Sequence, residues 1–113
     1  MKQGEIWLIN LDPTVGAEIK KTRPAIIVNN NALGKLPLKI IVPVTDWKQQ
    51  YDAAPWMVQI IPDNYNMLSK MSSADCFQIR SVAQERLIKF IGYATKELMV
   101  SIGEALKIVL PIN

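Results

Sequence analysis

The 113-residue sequence has no histidine and one cysteine, Cys76. Histidine is the usual general acid or base at neutral pH and the usual ligand of catalytic zinc. Its absence excludes hydrolytic triads and metal sites built on imidazole. Any chemistry is left to Arg, Lys, Glu, Asp, Thr, Ser and Tyr. A lone thiol excludes an internal disulfide and a cysteine metal framework, which suits the cytosol. With no histidine to activate it, Cys76 reads as a small semi-buried residue rather than a nucleophile. No apolar run approaches the ~20 residues of a membrane span. The segment Met1–Glu5 carries Lys2 as its only cation, and no apolar stretch of signal-peptide length follows it. The expectation is a cytoplasmic chain with no membrane phase.

The composition is that of a folded unit: 50% of residues are hydrophobic and 20% are charged, too apolar for disorder. There are no repeats, low-complexity tracts or linkers, so residues 1–113 read as one domain around a modest core. The net charge of +3 favours an anionic partner only slightly.

Short segments rich in Ile and Val read as strands: Glu5–Leu11, Pro24–Val28, Lys39–Thr45, Met57–Ile61, Met71–Ile79 and Leu87–Tyr93. Asp12-Pro13-Thr14, Asn29-Asn30-Asn31 and Pro62-Asp63-Asn64 separate them. Pro24 belongs at a strand start, and Pro43 inside IIVPVT argues for an edge strand or a bulge. After Thr95, a natural N-cap, Leu98, Ile102, Ala105, Leu106 and Val109 recur at helical spacing until Pro111. Gly103 weakens that helix, which must therefore rely on packing. No connection is long enough for a helical crossover, so the strands should be antiparallel. The order predicts a small α+β fold, a curved and mostly antiparallel β-barrel with one covering C-terminal α-helix. A split α+β sheet is the alternative.

Chemistry concentrates in KKTRPAIIVNN, where Lys20, Lys21 and Arg23 stand against an apolar strand. Basic gatekeepers against aggregation would explain the lysines. The preceding loop, Pro13–Thr22, exceeds the 2–5 residues usual in a hairpin, and long ordered loops are often functional. Antiparallel pairing of Pro24–Val28 with Lys39–Thr45 would bring Arg23 to Thr45 at one rim. A guanidinium fork matches phosphate, and a threonine hydroxyl adds a donor. Alternatively, Thr45 hydrogen-bonds its own turn.

Three blocks in order carry a family resemblance across essentially the whole chain. EIWLINLDPTVGAEIKKTRPAIIVNN resembles the opening of the MazF/PemK-type toxins, with its [DS]-P-x-x-G-[SA]-E and R-P elements. IIVPVT is similar to the next strand with its threonine. DCFQIRSVAQERLIKFIG is similar to the later block around Q-[IV]-[RK]-[ST]-[IV]. The resemblance implies an SH3-like barrel and the toxin of a type II toxin–antitoxin pair. It further implies a homodimeric endoribonuclease that cuts single-stranded RNA, with or without the ribosome. No metal or other cofactor is implied. The implied reaction is attack of the 2′-OH on the adjacent phosphate, expected to leave a 2′,3′-cyclic phosphate and a 5′-OH. Arg23 and Thr45 match the catalytic arginine and threonine, Glu18 the loop glutamate, and Gln78 a glutamine near the RNA. The partner would be an antitoxin with an acidic, partly disordered tail.

Two departures stand out. Ile19-Lys20-Lys21 replaces a segment commonly holding Gly and Gln, and Phe77 replaces an acidic residue common before the glutamine. Both fall on expected RNA-contacting surface, so a cleavage motif does not carry over.

In this reading Arg23 stabilises charge on the phosphorane-like state, because an arginine side chain is a poor proton acceptor at neutral pH. Lys20 and Lys21 draw in RNA. Glu18 either handles the 2′-OH or pairs with Lys20 or Lys21. Trp7 reads as core, whereas Trp47, Tyr51 and Trp56 are placed for a partner: RNA, a second subunit or an antitoxin tail. Arg86 and Lys89 read as solvated charges. The alternative function is a CcdB-like toxin that inhibits a protein such as DNA gyrase without nuclease activity. The Arg23–Thr45 pair discriminates against it, and likewise against an inactive regulatory barrel.

Overall fold

Successive side chains of Ala25-Ile26-Ile27 enter two different cores, as the two-residue period of a strand requires. In the computed structural model, which describes residues 1–112, Ile26 packs with Ile6, Val42, Val44, Ile60 and Ile102. Ala25 and Ile27 pack with Ile9, Leu11, Ile41, Val82 and Leu87 on the other side. Covered on both faces, the strand has a continuous apolar run instead of an alternating one.

The elements are β1 (Glu5–Asn10), β2 (Thr22–Ile27), β3 (Leu38–Asp46), β4 (Met57–Ile60), β5 (Ser72–Asp75), β6 (Arg80–Ala83), β7 (Leu87–Tyr93) and α1 (Lys96–Val109). Every strand pairing is antiparallel, as expected. The hydrogen-bonded order is β4-β5-β3-β2-β1-β7, with β6 also on β3. The expected barrel does not close. The path ends at β4 and β7, leaving an open seven-stranded sheet. At the β4 end an amphipathic helix, not a further strand, covers the core: α1 packs on β4 and on the short turn Cys76–Gln78. Thr95 caps α1 by accepting from the Leu98 N–H at 3.1 Å, and Ile102 and Ala105 are its buried residues. No helix is long and apolar enough to cross a membrane among the described residues.

Two other expectations need correction. Pro43 is not on an edge strand, because β3 is central. On one side β3 pairs with β2 throughout Ile41–Pro43. On the other it pairs with β6 up to Ile41 and with β5 from Val44. Pro43 therefore sits at the seam between two neighbours, where a missing N–H interrupts neither ladder. The segment Met71–Ile79 is not one strand either. The Asp75 carboxylate accepts from the Phe77 N–H at 3.2 Å and turns the chain through Cys76–Gln78 before β6 begins. Such side-chain capping competes with a sheet ladder.

Between β4 and β5, the buried Asn66 organises the connection. Its Oδ1 accepts from the N–H groups of Asp63 and Leu68, and its Nδ2 donates to the Ile61 carbonyl at 2.9 Å. Gly92 of β7 lets this connection lie against the sheet. A Cβ there would stand 2.6 Å from the Asn66 carbonyl oxygen and 2.7 Å from that of Tyr65.

Candidate functional site

The β2–β3 ladder pairs Ala25 with Pro43. Carried two residues outward, that register sets Arg23 opposite Thr45. Both line a cleft of about 190 Å³ whose far wall is Leu68, Ser69 and Lys70 from the Asn66-built connection. The sequence expectation that these two residues share one rim therefore matches the structure.

Arg23 is half-buried, and its Nε donates to the Lys20 carbonyl at 3.1 Å. This bond anchors the guanidinium through the backbone of its own loop and leaves Nη1 and Nη2 without a protein acceptor among the described residues. Thr45 is also half-buried, sits opposite Ser73 of β5 and makes no side-chain hydrogen bond among the described residues. Its hydroxyl is thus not taken up by its own turn. Across the rim Lys70 Nζ meets Asp46 Oδ1 at 3.0 Å, with both side chains well exposed. Such a pair contributes little to stability, yet it places a second cation at the cleft. Lys70 was missed in the sequence because nothing local ties it to Thr45; the β3–β5 pairing does so.

The loop between β1 and β2 is held at several points. Lys21 adopts a left-handed φ of 72°. Its N–H donates to Asp12 Oδ1 at 3.1 Å, and its carbonyl accepts from the Leu11 N–H at 3.0 Å. The Lys20 and Lys21 side chains are exposed and make no ion pair among the described residues. Glu18 does not pair with either lysine. Its Oε1 accepts from the Val15 N–H at 2.6 Å, closing a local turn. Gln78 holds the same loop from the sheet side: Oε1 accepts from the Ile19 N–H at 2.6 Å, and Nε2 donates to the Ala17 carbonyl at 3.3 Å.

Glu18 and Gln78 line a second groove of about 480 Å³, together with Ala17, Phe77, Ile79 and Arg80. The structure thus joins Arg23 to Thr45 and Glu18 to Gln78, and loop residues 17–23 supply a wall to each depression. Arg86 is not a merely solvated charge. Its Nη1 donates to the Asn10 carbonyl at 3.2 Å and to the Asp12 carbonyl. Arg80 donates to the Leu11 carbonyl at 3.4 Å. Two arginines therefore clamp the exit of β1, a role that short motifs do not reveal.

Near Gln78, Asp75 is 5% exposed. Burial raises its carboxyl above the ordinary value, against the hydrogen bonds from Phe77 and Gln78 that lower it. Cys76 is fully buried, and burial followed by the Asp75 charge pushes its thiol up to about 12. No thiolate is available near neutrality, so Cys76 is no nucleophile, and it is buried outright where the sequence suggests a semi-buried residue. Among the aromatics, Trp47 packs edge-on against Tyr51 at 5.8 Å, Trp56 against Phe77 at 5.9 Å and Trp7 against Phe90 at 6.0 Å.

The family described as PemK-like, MazF-like toxin of type II toxin–antitoxin system matches residues 2–110. The chain is 32% identical over 114 residues to a protein named Endoribonuclease MazF9 from Mycobacterium tuberculosis (strain ATCC 25618 / H37Rv), covering 96% of this chain and 94% of that one. In fold it is similar to MazF from Deinococcus radiodurans, with a TM-score of 0.82, 22% identity, and 99% and 97% of the two chains covered. It is likewise similar to a mycobacterial endoribonuclease solved in complex with its cognate antitoxin, with a TM-score of 0.80, 20% identity, and 100% and 97% covered.

Proposed function

The chain belongs to the PemK-like, MazF-like toxins of type II toxin–antitoxin systems, and we propose that it is an endoribonuclease cutting single-stranded RNA, mRNA above all, without a metal. Cleavage of mRNA would stop translation and growth. The observation that carries this reading is the anchored Arg23 guanidinium beside the free hydroxyl of Thr45 in one cleft. The name of the Mycobacterium tuberculosis relative supports it.

In the proposed reaction the 2′-OH attacks the neighbouring phosphorus, the P–O5′ bond breaks, and the products are a 2′,3′-cyclic phosphate and a 5′-OH. The 2′-OH loses its proton and the departing 5′-oxygen gains one. Charge builds on the non-bridging oxygens as the pentacoordinate state forms, and donors fixed before the reaction stabilise it without reorganising. Arg23 presents its Nη groups to that charge, and Thr45 donates to one non-bridging oxygen. Glu18 keeps one carboxylate oxygen on the Val15 N–H and uses the other to orient the 2′-OH. Lys20 and Lys21 draw the phosphate backbone toward the loop. Gln78 forms the floor of the RNA groove beside that loop.

We further propose a cytoplasmic homodimer with RNA and antitoxin grooves beside the subunit junction. The antitoxin would present an acidic, partly disordered tail that folds across the basic loop. The neighbour solved with its cognate antitoxin motivates this proposal.

The test is incubation of the purified protein with mixed-sequence RNA in EDTA, with both cut ends mapped. Cleavage to cyclic phosphate and 5′-OH ends is expected, and a 2′-deoxy nucleotide at the cut site should abolish it. Persistent cutting of the deoxy substrate, or a strict need for magnesium, would refute the mechanism.

A further inference from the structure

Phe77 is a large apolar side chain left 64% exposed and yet held firmly. It lies on the turn Cys76–Gln78, whose first residue is fully buried. The Phe77 N–H donates to the nearly buried Asp75 carboxylate at 3.2 Å. The Cys76 N–H donates to the Trp56 carbonyl at 3.1 Å. The Phe77 ring meets the Trp56 ring edge-on, with centroids 5.9 Å apart and planes at 63°. An edge contact on one side, combined with this exposure, leaves an aromatic face open over the groove shared with Glu18, Gln78 and Arg80.

We propose that Phe77 is a stacking platform for one unpaired RNA base next to the scissile phosphate, and so a residue that positions the substrate. The proposal rests on the endoribonuclease reading above. Three observations favour a base as the occupant. First, one chain segment serves both depressions: Ser72 lines the reaction cleft and Phe77, a few residues on, lines the groove, while β3–β5 pairing places Ser73 opposite Thr45. The β1–β2 loop lends Ala17 and Glu18 to the groove and Thr22 and Arg23 to the cleft. Second, Arg80 lines the groove and Arg23 and Lys70 line the cleft, while Glu18 turns a carboxylate oxygen onto the Val15 N–H. Third, the Gln78 amide is engaged on both sides by loop backbone. Recognition at this point thus falls to a π-face instead of to base-edge hydrogen bonds, and single-stranded RNA is commonly read by stacking of splayed bases on aromatic rings. The ring rests against Trp56 and its backbone is held by Asp75, so less side-chain freedom is lost on binding.

The test measures affinity by fluorescence anisotropy on an RNA made uncleavable by a 2′-deoxy nucleotide at the cut site, with Phe77→Ala, Phe77→Leu and Phe77→Trp variants. An abasic position is walked along the same RNA. Phe77→Ala and Phe77→Leu should each weaken binding about tenfold, and Phe77→Trp should retain it. The salt dependence should stay unchanged in all three, because no charge is altered. At one abasic position near the cut, wild type and Phe77→Ala should bind alike. Unchanged affinity in Phe77→Ala overturns the proposal and leaves the ring to a protein partner. Wild-type affinity in Phe77→Leu also overturns it, since apolar cover would then suffice. Cleavage of the all-ribose RNA by wild type is scored in parallel. Its failure removes the endoribonuclease reading, whereas cleavage together with unaltered Phe77→Ala binding removes only the platform.

Discussion

Arg23→Lys separates charge from geometry at the cleft. The substitution keeps the positive charge but removes the Nε bond to the Lys20 carbonyl, 3.1 Å in the structure, and replaces a planar fork with a single ammonium. Loss of the backbone anchor costs about 1 kcal/mol of positioning. Loss of a preorganised transition-state donor costs about 2.7–4 kcal/mol in other enzymes, a factor of about 10²–10³ in rate. RNA capture depends chiefly on charge and should change little. The assay is single-turnover cleavage at saturating RNA, with binding measured separately on a 2′-deoxy substrate. The expected outcome is a rate lowered by about 10²–10³ with affinity nearly preserved. The control is Lys20→Ala with Lys21→Ala, two exposed cations. For single strands the salt slope scales as about 0.7 per phosphate contact, so the pair should flatten it by about 1.4 and spare the chemical step. If Arg23→Lys cuts at the wild-type rate while the lysine pair abolishes chemistry, the roles of the cations are reversed and Arg23 is only a gatekeeper.

Thr45→Val removes the free hydroxyl while conserving shape. It should slow single-turnover cleavage roughly 10–100-fold, the worth of a hydrogen bond to a charged group; a wild-type rate would exclude Thr45 from the reaction. The two glycines of the C-terminal region should respond in opposite directions to Ala in chemical denaturation. Gly103→Ala, where nothing lies within 4 Å of an added Cβ, should stabilise by about 0.5–1 kcal/mol through helix propensity. Gly92→Ala, with backbone atoms 2.6–2.8 Å from the added Cβ, should destabilise by about 1–3 kcal/mol, and equal effects would contradict the packing described. Asp75 has a carboxyl raised by burial in the folded state, so the native chain binds its proton more tightly than the unfolded one. Its contribution to stability therefore falls as pH rises from the ordinary carboxylate value through the raised one. Asp75→Asn should gain stability relative to wild type across that window, and a difference independent of pH would refute the assignment.

Local signals carried several elements unaided. The helix announced itself by its period, by Thr95 and by Pro111, because capping and amphipathicity act within a few residues. The bounds expected for the last strand, Leu87–Tyr93, are those of β7. The R-P pair and the strand-ending threonine, with antiparallel pairing, brought Arg23 to Thr45 because that register links two consecutive strands. Failures arose where one local interaction overrode the pattern. Asp75 bent the expected strand Met71–Ile79 into a turn and separated β5 from β6. Pro43 looked like an edge residue because the seam between β6 and β5 is invisible along β3.

Residue types, spacing and order were enough for the antiparallel α+β class, the family resemblance and the central pair of the cleft, since each depends on short-range preference or neighbouring strands. Tertiary structure alone decided that the sheet stays open between β4 and β7, since closure depends on whether α1 or a strand covers the end. It also decided how the β1–β2 loop is held. Gln78 reaches Ile19 from 59 residues away, and Arg86 reaches Asp12 across 74. Lys70 joins the cleft through the β3–β5 pairing and the connection that Asn66 organises and Gly92 accommodates. These contacts join groups far apart in the chain, and no period or motif records them; they form only when burial of the two cores draws the strands together.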